Sequence, residues 1–147
     1  NPISGECFTA AAKHGAFLNG VALRTSDVRT MSEALIATGF PPAVTPDGPD
    51  LRLFNEIVLV SQSVRRTGSA ALNLAYVAAG RFDAGWSFST KIWDVAAGAL
   101  LIQEAGGVVT SFSGGRRSPD MGEFLVAATP ELHGEIRLLV RRLGLSR

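Results

Sequence analysis

Cysteine and tyrosine each occur once in the 147 residues, and histidine twice. A single thiol, Cys7, allows no internal disulfide framework, and with only His14 and His133 beside it a structural zinc site lacks ligands. A hard, oxygen-ligated metal stays open. A net excess of charge is missing too: 14 Lys+Arg against 13 Asp+Glu leave +1, too little for a protein that binds nucleic acid by neutralising phosphates. A small molecule is the expected partner. The longest apolar run, Val95 to Ile102, is far short of the about 20 residues a bilayer span needs, so no membrane partner is expected. The chain contains no G-x-x-x-x-G-K-[ST], G-x-S-x-G, H-E-x-x-H or paired-cysteine motif, which removes support for P-loop transfer, α/β-hydrolase chemistry and zinc hydrolysis. Nothing at Asn1 resembles a signal or transit peptide. Because that residue is not a methionine, the natural start is expected upstream, with a cytoplasmic location.

What is present is a globular composition, 46% hydrophobic and 18% charged, with 16 glycines and 7 prolines spread along the chain. Asn19-Gly20 between two apolar runs predicts a β-hairpin. Residues 33 to 40 read as a buried strand ended by Pro41-Pro42. The next element is a helix capped by Asp50 and running to about Ser63, with Leu51, Phe54, Ile57 and Val58 as its apolar stripe. A strand at 64 to 67, a helix at 70 to 79, a strand at 82 to 88 and a helix at 94 to 105 follow. That last helix is apolar on nearly every face and so is expected at the centre. Strands at 108 to 112 and 123 to 128 flank a loop, and a final helix begins at Thr129 (N-cap) and Pro130 (first turn). Alternating strands and helices make this one continuous α/β body, residues 1 to 147.

Three places could carry chemistry. Asp94 stands at the entrance of the apolar helix, where an aspartate serves either as an N-cap or as a metal-ligating carboxylate. Glu104 is ten residues further along the helix, roughly 15 Å at 1.5 Å per residue, too far to share a metal with it. Asp83 could approach from the preceding strand. Thr67-Gly68-Ser69-Ala70 is a strand-to-helix turn of small residues, either an ordinary cap or a place where backbone N–H groups meet an anion. The arginine pairs 65–66, 116–117 and 141–142, and His14 in its turn, read as solvated surface.

Taken together, Trp93-Asp94-Val95-Ala96-Ala97-Gly98 and Glu104-Ala105-Gly106-Gly107 resemble the W-D-x-A-A-G…E-A-G-G signature of the inositol monophosphatase family of magnesium-dependent phosphatases. Gly15-Ala16-Phe17-Leu18-Asn19-Gly20 is similar to that family's G-A-F-x-N-G hairpin, and Arg65 to Leu72 to its R-x-G-S-A-A segment. All three occur in the family's order, so the resemblance covers essentially the whole chain.

The resemblance implies a layered αβαβα sandwich of which this chain is the C-terminal half, usually paired into homodimers. It implies Mg²⁺ as cofactor, with Asp94 as a catalytic metal ligand, and the Gly68-Ser69-Ala70 turn and Ser87 in the substrate pocket. The expected activity is hydrolysis of phosphate monoesters of small polyols or sugars. The family's other metal ligands, a glutamate and a D-P-x-D-G-T loop, belong to an N-terminal half, and no such loop occurs here. Ser87 follows Trp86 where inositol-specific members carry a glutamate, which points away from inositol. Lys13 stands where a glycine is common. The alternatives are a non-catalytic homologue or assembly partner, or a related phosphatase for fructose 1,6-bisphosphate, histidinol phosphate or nucleotide 3′-phosphates.

Overall fold

A computed structural model describes residues 1–115 and 122–146. Its first element is a three-stranded antiparallel sheet of β1 (Phe8–Ala10), β2 (Ala16–Leu18) and β3 (Val21–Ala22). Asn19 and Gly20 close the β2–β3 hairpin with φ of 48° and 83°, the paired left-handed conformation that a two-residue turn requires. The second sheet is mixed, ordered β5-β4-β6-β8-β7, and contains β4 (Leu35–Thr38), β5 (Ser63–Arg65), β6 (Ala84–Ser87), β7 (Val108–Thr110) and β8 (Phe124–Ala127). β4 pairs in parallel with β5 and β6, whereas β8 is antiparallel to β6 and β7.

The helices are α1 (Pro49–Val60), α2 (Ala70–Ala78), α3 (Ile92–Glu104) and α4 (Pro130–Arg142). Strand alternation sorts the side chains into two cores, because successive residues point to opposite faces of a sheet. Ile36, Trp86 and Leu125 pack with Leu53, Ile57, Leu132 and Ile136, under α1 and α4. Ala37, Val126 and Phe124 pack with Leu74, Val77, Val95 and Ile102, under α2 and α3. α3 also touches β1 and β2, so the layers run small sheet, α2 and α3, large sheet, α1 and α4. This α/β stack supplies four layers of the expected αβαβα sandwich.

Several boundaries differ from the sequence reading. α1 starts at Pro49 with Gly48 as its cap, because proline is pre-set for the first helical position; Asp50 lies inside the first turn, buried. The helix ends at Val60, not Ser63. β4 is shorter than expected, since Met31–Glu33 closes into a 3₁₀ turn. α3 begins at Ile92, and it is open on one side: Trp93 is 75% exposed, with Ala96 and Ala97 also exposed. Arg116, Arg117 and most of the predicted loop lie outside the described residues. α4 begins and ends as read, with the Thr129 hydroxyl accepting from the Leu132 N–H and Gly144 left-handed beyond its end.

Candidate active site

The strand order creates a cleft. From β4 the chain crosses to β5 through α1 on one face of the sheet, and from β5 to β6 through α2 on the other. The carboxyl ends of β4 and β6 therefore open outward where the crossovers diverge, the usual ligand position in open α/β sheets. A cleft of about 380 Å³ lies there, and Asp94, Gly68, Ser69, Ala70 and Ser87 all line it.

Each arrives by a local cause. Gly68 has φ of +88°, which a side chain would strain, while the space where its Cβ would stand is empty. Ser69 is the N-cap of α2, its hydroxyl accepting from the Leu72 N–H at 3.2 Å. Asp94 sits in the first turn of α3, where its carboxylate accepts from the Lys91 N–H at 3.3 Å. It is thus the third helical residue and not the N-cap of the sequence reading; Lys91 holds that place. Ser87 ends β6, 4% exposed, with its hydroxyl accepting from the Ser89 N–H at 3.4 Å. The first turns of two helices meet in this cleft, so backbone N–H groups and both dipoles favour an anion there.

Other predicted residues are elsewhere. Asp83 precedes β6, at the opposite end of the strand from the cleft; its carboxylate accepts from the Ser26 hydroxyl at 2.5 Å and the Leu35 N–H at 2.7 Å. It ties strands and joins no site. Glu104 accepts from the backbone N–H groups of Lys13 at 2.8 Å and Gly15 at 2.9 Å, bonds that hold its carboxyl below the usual carboxylate range. The signature glutamate therefore clamps the β1–β2 turn onto α3. Among the described residues no group of three His, Cys, Asp or Glu side chains could hold a metal. Asp94 fits a hard cation as one member of a larger oxygen shell and not as a complete site.

Sequence reasoning missed Phe40, Arg66 and Asn73, which also line the cleft. The Arg66 guanidinium lies 5.4 Å over the Phe40 ring. Phe40 closes the strand read at 33 to 40, but the pairing of β4 beside β5 and β6, which brings these segments together, appears only in the fold.

A model of the inositol monophosphatase family matches residues 1–144. The chain is 45% identical over 132 residues to the Nus factor SuhB of Pseudomonas aeruginosa, covering 88% of this chain and 49% of that protein. It is 41% identical over 138 residues to an inositol-1-monophosphatase of Caulobacter vibrioides, covering 92% and 54%. The solved structure of an inositol monophosphatase from Anabaena superimposes with a TM-score of 0.90 at 36% identity, over 96% of this chain and 56% of that one. The chain thus spans about half the length of the curated relatives it matches.

Proposed function

The chain belongs to the inositol monophosphatase family, and from that premise we propose that it carries one half of the active site of a Mg²⁺-dependent phosphatase for phosphate monoesters of small polyols or sugars. The observation that carries this reading is the convergence of Asp94, the Gly68–Ser69–Ala70 turn and Ser87 on one cleft. In the proposed mechanism Asp94 supplies a carboxylate to the metal shell. The N–H groups after Gly68 receive the phosphate oxygens at the start of α2, and the Ser69 hydroxyl, as its cap, keeps that turn open toward them. Ser87 borders the polyol. A bound Mg²⁺ would supply charge neutralisation on the phosphoryl group and a more acidic water. The rest of the metal shell belongs to the other half of the protein, which we propose pairs into a cytoplasmic homodimer.

Replacing Asp94 by Asn in the full-length protein tests this. Asparagine keeps the volume and can still accept from the Lys91 N–H, but it removes the charge a hard cation needs. Turnover should fall by about 10³-fold or more and the Mg²⁺ requirement should rise, while the melting temperature stays nearly constant. Near-normal, Mg²⁺-dependent turnover would reduce Asp94 to a helix-start residue.

A second reading is favoured by the relatives named Nus factor SuhB: an assembly role carried by a surface and not by turnover. The same variant separates the two, since an assembly role survives loss of the carboxylate charge.

A further inference from the structure

We propose that Asn73 is the positioning residue of the cleft: its buried carboxamide sets where the Gly68–Ser69 backbone stands by tying that turn to the end of β4. This rests on the phosphatase reading and adds to it a side chain with no part in binding metal.

The turn needs such a tie. Thr67 and Gly68 are exposed, and nothing approaches within 4 Å of the point where a Gly68 Cβ would stand. Packing therefore does not hold the glycine, and at φ of +88° its backbone has freedom that must be removed by hydrogen bonds. Asn73, one turn into α2 and 6% exposed, provides them. Its Nδ2 donates to the Thr38 carbonyl, the last of β4, at 3.4 Å. A carbonyl can only accept, which fixes the orientation of the amide and turns Oδ1 toward Thr67. The Thr67 hydroxyl donates to that oxygen at 2.5 Å, leaving its own lone pairs to accept from the Ser69 N–H at 3.4 Å. The Asn73 N–H donates to the Ser69 carbonyl at 3.0 Å. One residue thus binds the strand end, the residue before Gly68 and the residue after it. A misplaced turn would displace the N–H groups offered to phosphate, and catalysis and binding are steep in such displacements.

The test uses the full-length protein with glycerol 2-phosphate and Mg²⁺. Thr67→Val removes the hydroxyl from an exposed position at constant shape, and Thr67→Ser keeps it. Asn73→Leu removes the other end. Thr67→Val and Asn73→Leu should each raise KM about tenfold with a smaller change in kcat, the double variant should be no worse than Asn73→Leu, and Thr67→Ser should stay near the parent. Amide exchange at Ser69, measured without substrate, should quicken in the Val and Leu variants. An unchanged KM for Thr67→Val, an additive double variant, or unchanged exchange would each overturn the proposal. Should Asn73→Leu fail to fold, the Thr67 pair decides alone. If the parent hydrolyses no phosphate ester but exchange at Ser69 still quickens, the phosphatase reading falls while the tie stands.

Discussion

Lys13 adopts φ of 66°, a left-handed conformation that costs a residue with a Cβ roughly 1 kcal/mol. The Glu104 carboxylate holds it there by accepting from its N–H. That geometry suits the glycine which the family resemblance leads one to expect at this position. Lys13→Gly should accordingly raise stability by about 0.5–1 kcal/mol without touching turnover, read as the shift in urea midpoint; no shift would mean the turn relaxes around lysine at no cost. Ser87 is the second residue with a separable effect. Its short, uncharged hydroxyl cannot offer the charge-assisted acceptor that a glutamate gives to a sugar or inositol hydroxyl. In the full-length protein Ser87→Glu should shift the kcat/KM ratio toward inositol 1-phosphate over glycerol 2-phosphate by about tenfold. A parent already strongly selective for the inositol ester, and unaltered by the change, would show that position 87 does not read the substrate.

At the scale of elements, the cleft depends on how closely α2 and α3 cross. A Cβ added at Gly98 would stand 2.4 Å from the Leu74 Cβ, so the two helices touch there with no room for a methyl. The final glycine of W-D-x-A-A-G is therefore a packing residue, and it acts on the site at a distance: it sets the approach of two helices whose starts carry Ser69, as N-cap, and Asp94. Gly98→Ala should cost about 1–3 kcal/mol and reduce kcat/KM as well, because any relief moves one helix start relative to the other. A stable variant with unchanged kinetics would show that the crossing does not set the site. Gly107 closes the same helix from the other side, its Cβ position 2.7 Å from Ile102 Cγ2 and 2.9 Å from the Ala127 carbonyl.

For the molecule as a whole, the open side of α3 and the absence of a metal-binding group of carboxylates among the described residues have one consequence. Phosphate monoester hydrolysis is so slow uncatalysed that enzymes accelerate it by up to about 10²¹, roughly 28 kcal/mol, which one carboxylate and a helix turn do not supply. Residues 1–147 produced alone should release no phosphate with Mg²⁺, and should self-associate through the face bearing Trp93, a residue 75% exposed. Phosphate assays beside sedimentation check both. Turnover at an ordinary enzymatic rate from a cooperatively folding monomer would refute the division of the site between two halves.

Local chemistry accounts for a defined part of this chain. The Asn19-Gly20 hairpin, the Thr129-Pro130 helix start and the order of strands and helices follow from φ preferences, capping and periodicity, which need only near neighbours. The helix entrance and the small-residue turn likewise marked Asp94, Gly68, Ser69 and Ala70 as candidates, and the family resemblance added Ser87. Tertiary structure alone decided which carboxylates meet. Helix spacing already set Glu104 apart from Asp94, whereas Asp83 could have approached it; in the fold Asp83 ties strands, and Glu104 clamps a turn at Gly15, 89 residues away in the chain. It alone brought Asn73 to the end of β4, 35 residues distant. Such pairings arise when crossovers fold strands and helices side by side, and no property of the residues between them records the meeting.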